Sequence, residues 1–214
     1  MGKKPFRCYR FIKNKPLPKS TYCRKCPVTK LKMFDLGNKK AKVDKFSMCI
    51  NMINLEARHI SSNCLEAIRI VINRNLNKNF KKTQYHLRIR SHPMHIVRNN
   101  KVLSKAGADR VSKGMRKSYG KPFALVARLK NNDIIISIRA KSKYKKTIVN
   151  ILKNVTYKIS GIQSIKESEY WGFTKIAKED YLCYNSINLL KKYGYQTVIK
   201  RKGMSLSNVL DNYL

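Results

Sequence analysis

Three short motifs carry residue types that could do chemistry. Cys23-x-x-Cys26 has the spacing of half a structural zinc site, which takes four ligands and commonly draws them from two close pairs. As further ligands near it the chain offers Cys8, alone, and the distant Cys49, so buried or incidental thiols are expected. His92-Pro93-Met94-His95 sets two imidazoles at a spacing that suits a helix. Pro93 and the flanking alternation argue instead for a strand or bend, where the two side chains point to opposite faces. Phosphate or base contacts, or simple packing, are expected of them. Gly114 to Lys121 mimics a phosphate-binding nucleotide loop, which needs four residues between its glycines and a Ser or Thr after its Lys. Here five residues separate Gly114 from Gly120, and Pro122 follows Lys121. Nucleotide binding is not expected.

Carboxylates are few, and most have plain roles. The chain of 214 residues has Asp+Glu 11 against Lys+Arg 48, a formal net charge of +37. Glu66 suits a helix start, and Glu179 and Asp180 suit a first turn, where the helix dipole favours anions. Asp109 is the one unusual acid. It fits an Asx turn that organises its loop or a pair with Arg110. No nucleophile–base pair stands out. Such a charge excess makes a compact chain repel itself and calls for a polyanion. Nucleic acid fits, with binding that weakens steeply with salt, at a log–log slope near −0.9 per phosphate for duplex DNA. Cations run through every element, which suits a protein embedded in RNA. A free DNA-binding regulator would instead need preference for a duplex site.

One densely cationic stretch, residues 99–122, has no clear periodicity. A loop longer than about 15 residues inside a compact domain is usually functional or disordered. Gly107, Gly114 and Gly120 give it flexible backbone, and Lys101, Lys105, Arg110, Lys113, Arg116, Lys117 and Lys121 give it charge. Aromatics interleave with cations at Phe6-Arg7-Cys8-Tyr9-Arg10-Phe11 and at Tyr119. Such rings either stack on unpaired bases or pack back on the domain. No run approaches the ~18 apolar residues of a membrane span, and the amino terminus lacks a signal core. An intracellular, soluble protein with free thiols at its six cysteines is expected.

The elements that must position these residues are legible from periodicity. Residues 2–30, with Pro16, Pro18 and Pro27, read as an extended basic arm. A strand is expected over Thr29 to Leu36, followed by a basic turn at Gly37-Asn38-Lys39-Lys40. Ser61 to Lys78 is the clearest helix, with Leu65, Ile68, Ile72 and Leu76 on one face. Ser62 or Asn63 can cap it, and Glu66 stands where a capping box puts its acid. Gln84 to Arg90 alternates as a strand with a basic outer face of His86, Arg88 and Arg90, continued by Met94 to Arg98. Phe123 to Leu129 and Asp133 to Arg139 suggest a hairpin about Lys130-Asn131-Asn132. A helix is expected over Ser142 to Val155, a strand over Ile162 to Glu169, and a third helix over Ala177 to Tyr193 capped by Gly194. The order gives an α+β fold: helices packed on an antiparallel or mixed sheet, with a basic arm, a long internal loop and a C-terminal helical extension. The expected parts are an arm over 1–30, a core over 31–170 and a helix with basic tail over 171–214.

Longer motifs then accumulate in order. They are Cys8-Tyr9-Arg10, Asn14-Lys15-Pro16, Phe34-Asp35-Leu36-Gly37, Leu65-Glu66-Ala67, His86 to Arg90, and His92-Pro93 with His95. They continue through Ala106-Gly107-Ala108-Asp109-Arg110, Gly114-Met115-Arg116, Gly120-Lys121-Pro122, Ser137-Ile138-Arg139 and Trp171-Gly172-Phe173-Thr174-Lys175. With these, the sequence over about residues 2–176 resembles the universal large-subunit ribosomal protein sixteen family in its eukaryotic and archaeal form.

The resemblance implies an α+β core wedged into large-subunit ribosomal RNA near the transfer-RNA corridor. It implies a loop whose Leu103, Ser104, Ala106, Gly107, Ala108 and Asp109 lie near the peptidyl transferase centre. Partners implied are ribosomal RNA, transfer RNA, neighbouring ribosomal proteins, and transient export and maturation factors. No membrane, cofactor, metal or catalytic residue is implied. The setting implied is the cytoplasm, with passage through the nucleus during assembly. RNA contacts are then expected from Lys3, Lys4, Arg7, Arg10, Lys13, Lys15 and Lys19 on the arm. Lys39, Lys40 and Lys42 would supply them at the turn, and Arg88, Arg90 and Arg98 on the strands, beside the loop cations. Lys105 departs from the family, which usually has a small residue there. The alternative is a maturation factor or RNA-processing enzyme that visits ribosomes.

Overall fold

A computed structural model describes residues 5–19, 23, 25–99 and 120–200. Lys3, Lys4, Lys101, Leu103, Ser104, Lys105, Ala106, Gly107, Ala108, Asp109, Arg110, Lys113, Arg116 and Lys117 lie outside the described residues.

Ten strands and three α-helices are described: β1 (Asp35–Gly37), β2 (Met48–Asn54), β3 (Arg58–Ser61), α1 (Ser62–Asn79), β4 (Tyr85–Ile89), β5 (His95–Asn99), β6 (Lys121–Leu129), β7 (Ile134–Ala140), α2 (Lys145–Thr156), β8 (Gln163–Glu167), α3 (Lys178–Ser186), β9 (Leu190–Tyr193) and β10 (Gln196–Ile199). They form a five-stranded sheet, β1-β4-β7-β2-β8, a three-stranded sheet, β3-β6-β5, and a β9-β10 pair. Every pairing among the described strands is antiparallel. The fold is α+β with a C-terminal extension.

α1 buries Leu65, Ile68, Ile72 and Leu76 completely, as their helical spacing requires. Each such side chain contributes about 1.5–3 kcal/mol relative to exposure. The cap differs from expectation. Ser61 accepts the Cys64 amide at 3.1 Å, and Glu66 forks onto Arg69 instead of reaching back. α1 packs on α2 and against β3 and β6, while α2 lies against β2 and β8. One core therefore joins both sheets and both helices.

Several expected elements change. The strand over Thr29 to Leu36 shrinks to β1, although Leu31 is buried. β6 and β7 are not a hairpin: the turn at Asn131-Asn132 carries the chain from the small sheet to the large one. The same switch occurs between β2 and β3 and between β4 and β5. Asn54 ties two of these corners. It is fully buried, its Nδ2 donates to the Glu56 and Lys130 carbonyls, and its backbone bonds Asn132 and Asp133. The third helix stops at Ser186, because Asn188 turns left-handed (φ 56°). The chain then forms the β9-β10 hairpin. Gly194 (φ 56°) serves its turn and not a helix cap.

Candidate nucleic-acid interface

The arm lies across the small sheet and does not extend freely. At the β3 edge, the His59 amide donates to the Arg10 carbonyl at 2.7 Å, and Phe11 bridges Arg58. At the β5 edge, the Ile96 amide donates to the Leu17 carbonyl at 2.8 Å, and Pro18 bridges His95. Between the edges, Arg128 on β6 donates to the Asn14 carbonyl at 2.6 Å. Two histidines complete the strap. His59 Nδ1 meets the Tyr9 carbonyl at 2.9 Å, and His95 Nδ1 accepts the Leu17 amide at 2.9 Å. The rings stack 5.0 Å apart. Burial lowers both pKa values, that of His95 to about 4, with His59 and Arg128 adding to the shift.

Packing accounts for His95, which is buried and faces the strap, while His92 is exposed with its ring 4.4 Å from that of Phe34. Of the arm's aromatics, Tyr9 packs back on Phe123, while Phe11 stays exposed beside the Arg58 guanidinium. With its backbone engaged, the arm leaves Arg7, Arg10, Lys13, Lys15 and Lys19 exposed. Cys23 and Cys26 are half-buried free thiols. Among the described residues, no group of three His, Cys, Asp or Glu could hold a metal.

At the root of the long loop, Asn99 pairs with Lys121 and Arg98 with Pro122. Arg98 and Lys121 are both exposed there. Lys39, Lys40 and Lys42 are exposed after β1. That turn is pinned: Gly37 is left-handed (φ 83°), and Asn38 donates to the Tyr85 and Thr83 carbonyls.

β4 does not present an open basic face. His86 is fully buried, and Arg88 is half-buried with Nε and Nη2 on Asp35 at 2.6 and 3.2 Å. Register explains the cluster. Cys49, Arg139 and His86 stand in one row across β2, β7 and β4, and Asn51, Ser137 and Arg88 in the next. Arg139 donates to His86 Nδ1 at 2.9 Å and to the Ala41 carbonyl at 2.7 Å. Residues from the C-terminal segment cover the layer. The Phe173 ring lies 5.3–5.4 Å from the guanidinium carbons of Arg88, Arg90 and Arg139, and Tyr195 lies 4.3 Å from that of Arg88.

Burial lowers the Arg139 pKa to about 10, helped by Arg88, and it stays protonated at neutral pH. Burial, reinforced by Arg139, pushes His86 down to about 4 against the pull of Asp35. For Asp35, burial raises the pKa, but the bond and charge of Arg88, with His86, together outweigh it and the carboxyl stays below its usual range. Arg90 alone of the three arginines is exposed, with Nε on Ser137 Oγ at 3.2 Å. Sequence reasoning missed Arg128, the strap's clamp. It also missed Phe173 and Tyr195 as covers. Only alternation along β6 pointed to Arg128, and nothing local pointed to the covers.

The sequence matches the family described as Ribosomal protein L16p/L10e over residues 12–166. The chain belongs to this family. The L16p/L10e match takes in the small sheet, all but the last residue of the large one, the helices α1 and α2 and the β5-edge half of the strap, while Tyr9, Arg10 and Phe11 precede it. Likeness extends further in two relatives. Large ribosomal subunit protein uL16 of Caenorhabditis elegans is 45% identical over 212 residues, 99% of each chain. Large ribosomal subunit protein uL16A of Schizosaccharomyces pombe is 44% identical over 211 residues, 99% of this chain and 96% of its own. The L16p/L10e family is one of ribosomal proteins and not an enzyme class.

Proposed function

We propose that this chain is a structural constituent of the large ribosomal subunit. It binds ribosomal RNA through the cations of its strap, its Lys39-Lys40-Lys42 turn and its loop root, and it serves translation in the cytoplasm. Full-length likeness to proteins named for the large subunit carries the assignment. The RNA reading rests on geometry and charge. Arg7, Arg10, Lys13, Lys15, Lys19, Lys39, Lys40, Lys42, Arg90, Arg98 and Lys121 are exposed on elements whose backbone bonds are already made. Phosphate contacts of this kind position a protein and carry little sequence information. Arg88 belongs instead to the inner layer.

The loop between β5 and β6 reaches toward the peptidyl transferase centre and transfer RNA. Its two ends leave adjacent antiparallel strands, a base suited to project a finger. Late joining to the subunit, with export and maturation factors as transient partners and a passage through the nucleus, belongs to the same reading.

Co-sedimentation with purified large subunits in high salt tests it. One copy per subunit, retained at about 0.5 M salt, is expected. A sub-stoichiometric amount released by moderate salt would assign the chain to visiting maturation factors or RNA-processing enzymes instead.

A further inference from the structure

An open hollow of about 850 Å³ lies where α1 ends, with Asn77, Lys78, Phe80, Lys81, Lys82 and Tyr144 among its lining. It is far in sequence from the arm and the loop. Among the described residues no acid lines it, while Lys78, Lys81 and Lys82 are exposed there and Lys143 lies over the Tyr144 ring at 5.0 Å. Its floor is aromatic: Phe80 and Tyr144 meet with ring centroids 4.6 Å apart. Phe80 is buried, while Tyr144 is half-exposed.

Local electrostatics in this region run against the fold. The first turn of α2 holds Lys145 and Lys146 and no acid, where the helix dipole disfavours cations. Lys145 finds Glu167 at 2.6 Å, yet Lys141 and Lys143 add charge immediately before it. The hollow also adjoins the proposed RNA surface. Asn38 bonds Thr83 and Tyr85, so Lys39 and Lys40 stand beside its Gln84 rim.

We infer that this hollow is a binding site for an unpaired nucleotide of RNA. Its phosphates sit among Lys81, Lys82 and Lys143, and its base stacks on Tyr144. The hollow's other polar lining is amide: Asn77, Asn79 and Gln84. Stacking on one ring, flanked by cations, is how proteins hold single-stranded RNA without reading a long sequence. The inference rests on the ribosomal reading and adds a site that the arm and loop do not supply.

Lysine amidation in assembled large subunits, compared with the free full-length chain, tests the phosphate half. Lys81, Lys82 and Lys143 should react at least about tenfold more slowly in the subunit and regain reactivity after ribonuclease treatment. Unchanged reactivity overturns the site. Protection that survives ribonuclease assigns the hollow to a protein and overturns it equally. Ultraviolet cross-linking of the same subunits tests the stacked base. A nucleotide adduct on the Tyr144 peptide, lost in Tyr144→Leu subunits that still contain the protein, is expected. An adduct-free Tyr144 peptide in wild-type subunits overturns the stacking. If the chain does not join subunits at all, the exposed Lys13 and Lys121 stay reactive too, and it is the ribosomal reading that fails.

Discussion

Arg139 donates from Nε to Nδ1 of His86 across 2.9 Å, and both side chains are fully buried. The bond decides the tautomer. Nδ1 must be bare to accept, so the ring proton sits on Nε2, which faces Asp35 Oδ1 at 3.3 Å. A protonated imidazole would set a second donor against the guanidinium.

Acid should therefore unfold this protein early. His86 and His95 are both held near pKa 4, while the unfolded chain titrates near 6.5. Between these values the unfolded state binds protons that the native state refuses. Stability is full above about pH 6.5 and declines as the pH falls toward 4, by on the order of 3 kcal/mol per histidine. Urea midpoints at pH 7.5 and 5 check this. A midpoint that does not move would contradict neutral buried rings.

Arg88 and Arg98 should separate stability from RNA binding. Arg88→Met removes two charged hydrogen bonds from Asp35 and should cost about 2 kcal/mol. Arg98→Gln, at an exposed position, should change stability by less than about 0.5 kcal/mol. It should also flatten the salt dependence of RNA binding by about 0.7–0.9 in log–log slope. Thermal melts and salt titrations of both variants distinguish the roles.

Gly37→Ala should be costly beyond its size. The added Cβ would lie 2.4 Å from the Tyr85 carbonyl oxygen, at a φ of +83°. A loss of about 2 kcal/mol is expected, with faster amide exchange at Asn38. A wild-type melting temperature would show that the turn relaxes freely.

Arg128→Met should loosen the strap. Its loss frees the Asn14 carbonyl and leaves the two edges to hold the arm. Hydrogen exchange at the Leu17 amide should rise about tenfold, while α1 keeps its protection. Equal exchange in variant and wild type would mean that the edges suffice.

Periodicity made α1 and α2 legible because helical spacing and burial are the same fact there. Leu65 to Leu76 and Ile148 to Val155 face the core as their spacing requires. The polar layer was not legible. Alternation put His86 and Arg88 opposite Tyr85 and Leu87, but it cannot say that Phe173 and Tyr195, about a hundred residues away, cover that side. The turn after β6 was readable as a reversal, yet a reversal does not say which sheet receives the chain. Helical pattern over Ala177 to Tyr193 competed with the left-handed Asn188, after which Leu189 and Leu190 are buried in the observed chain path. At the candidate site, the exposed cations were readable by type. Their grouping with Tyr144 depends on where α1 ends and α2 begins.

The sheet switches at Asn54 and after β4 and β6 also govern how the chain reaches its structure. Strands that follow one another by short connections are parted between sheets, and among the described strands only β9 and β10 pair across a tight turn. Neither main sheet can be assembled locally. β2 must await β7 and β8, and β4 must await β7. Contacts so distant in sequence slow folding, because loop closure precedes any gain from pairing. Until β7 is in place, β2 and β4 are two strands, each with one apolar face, that have open edges, and on a newly made chain those edges are exposed to other chains.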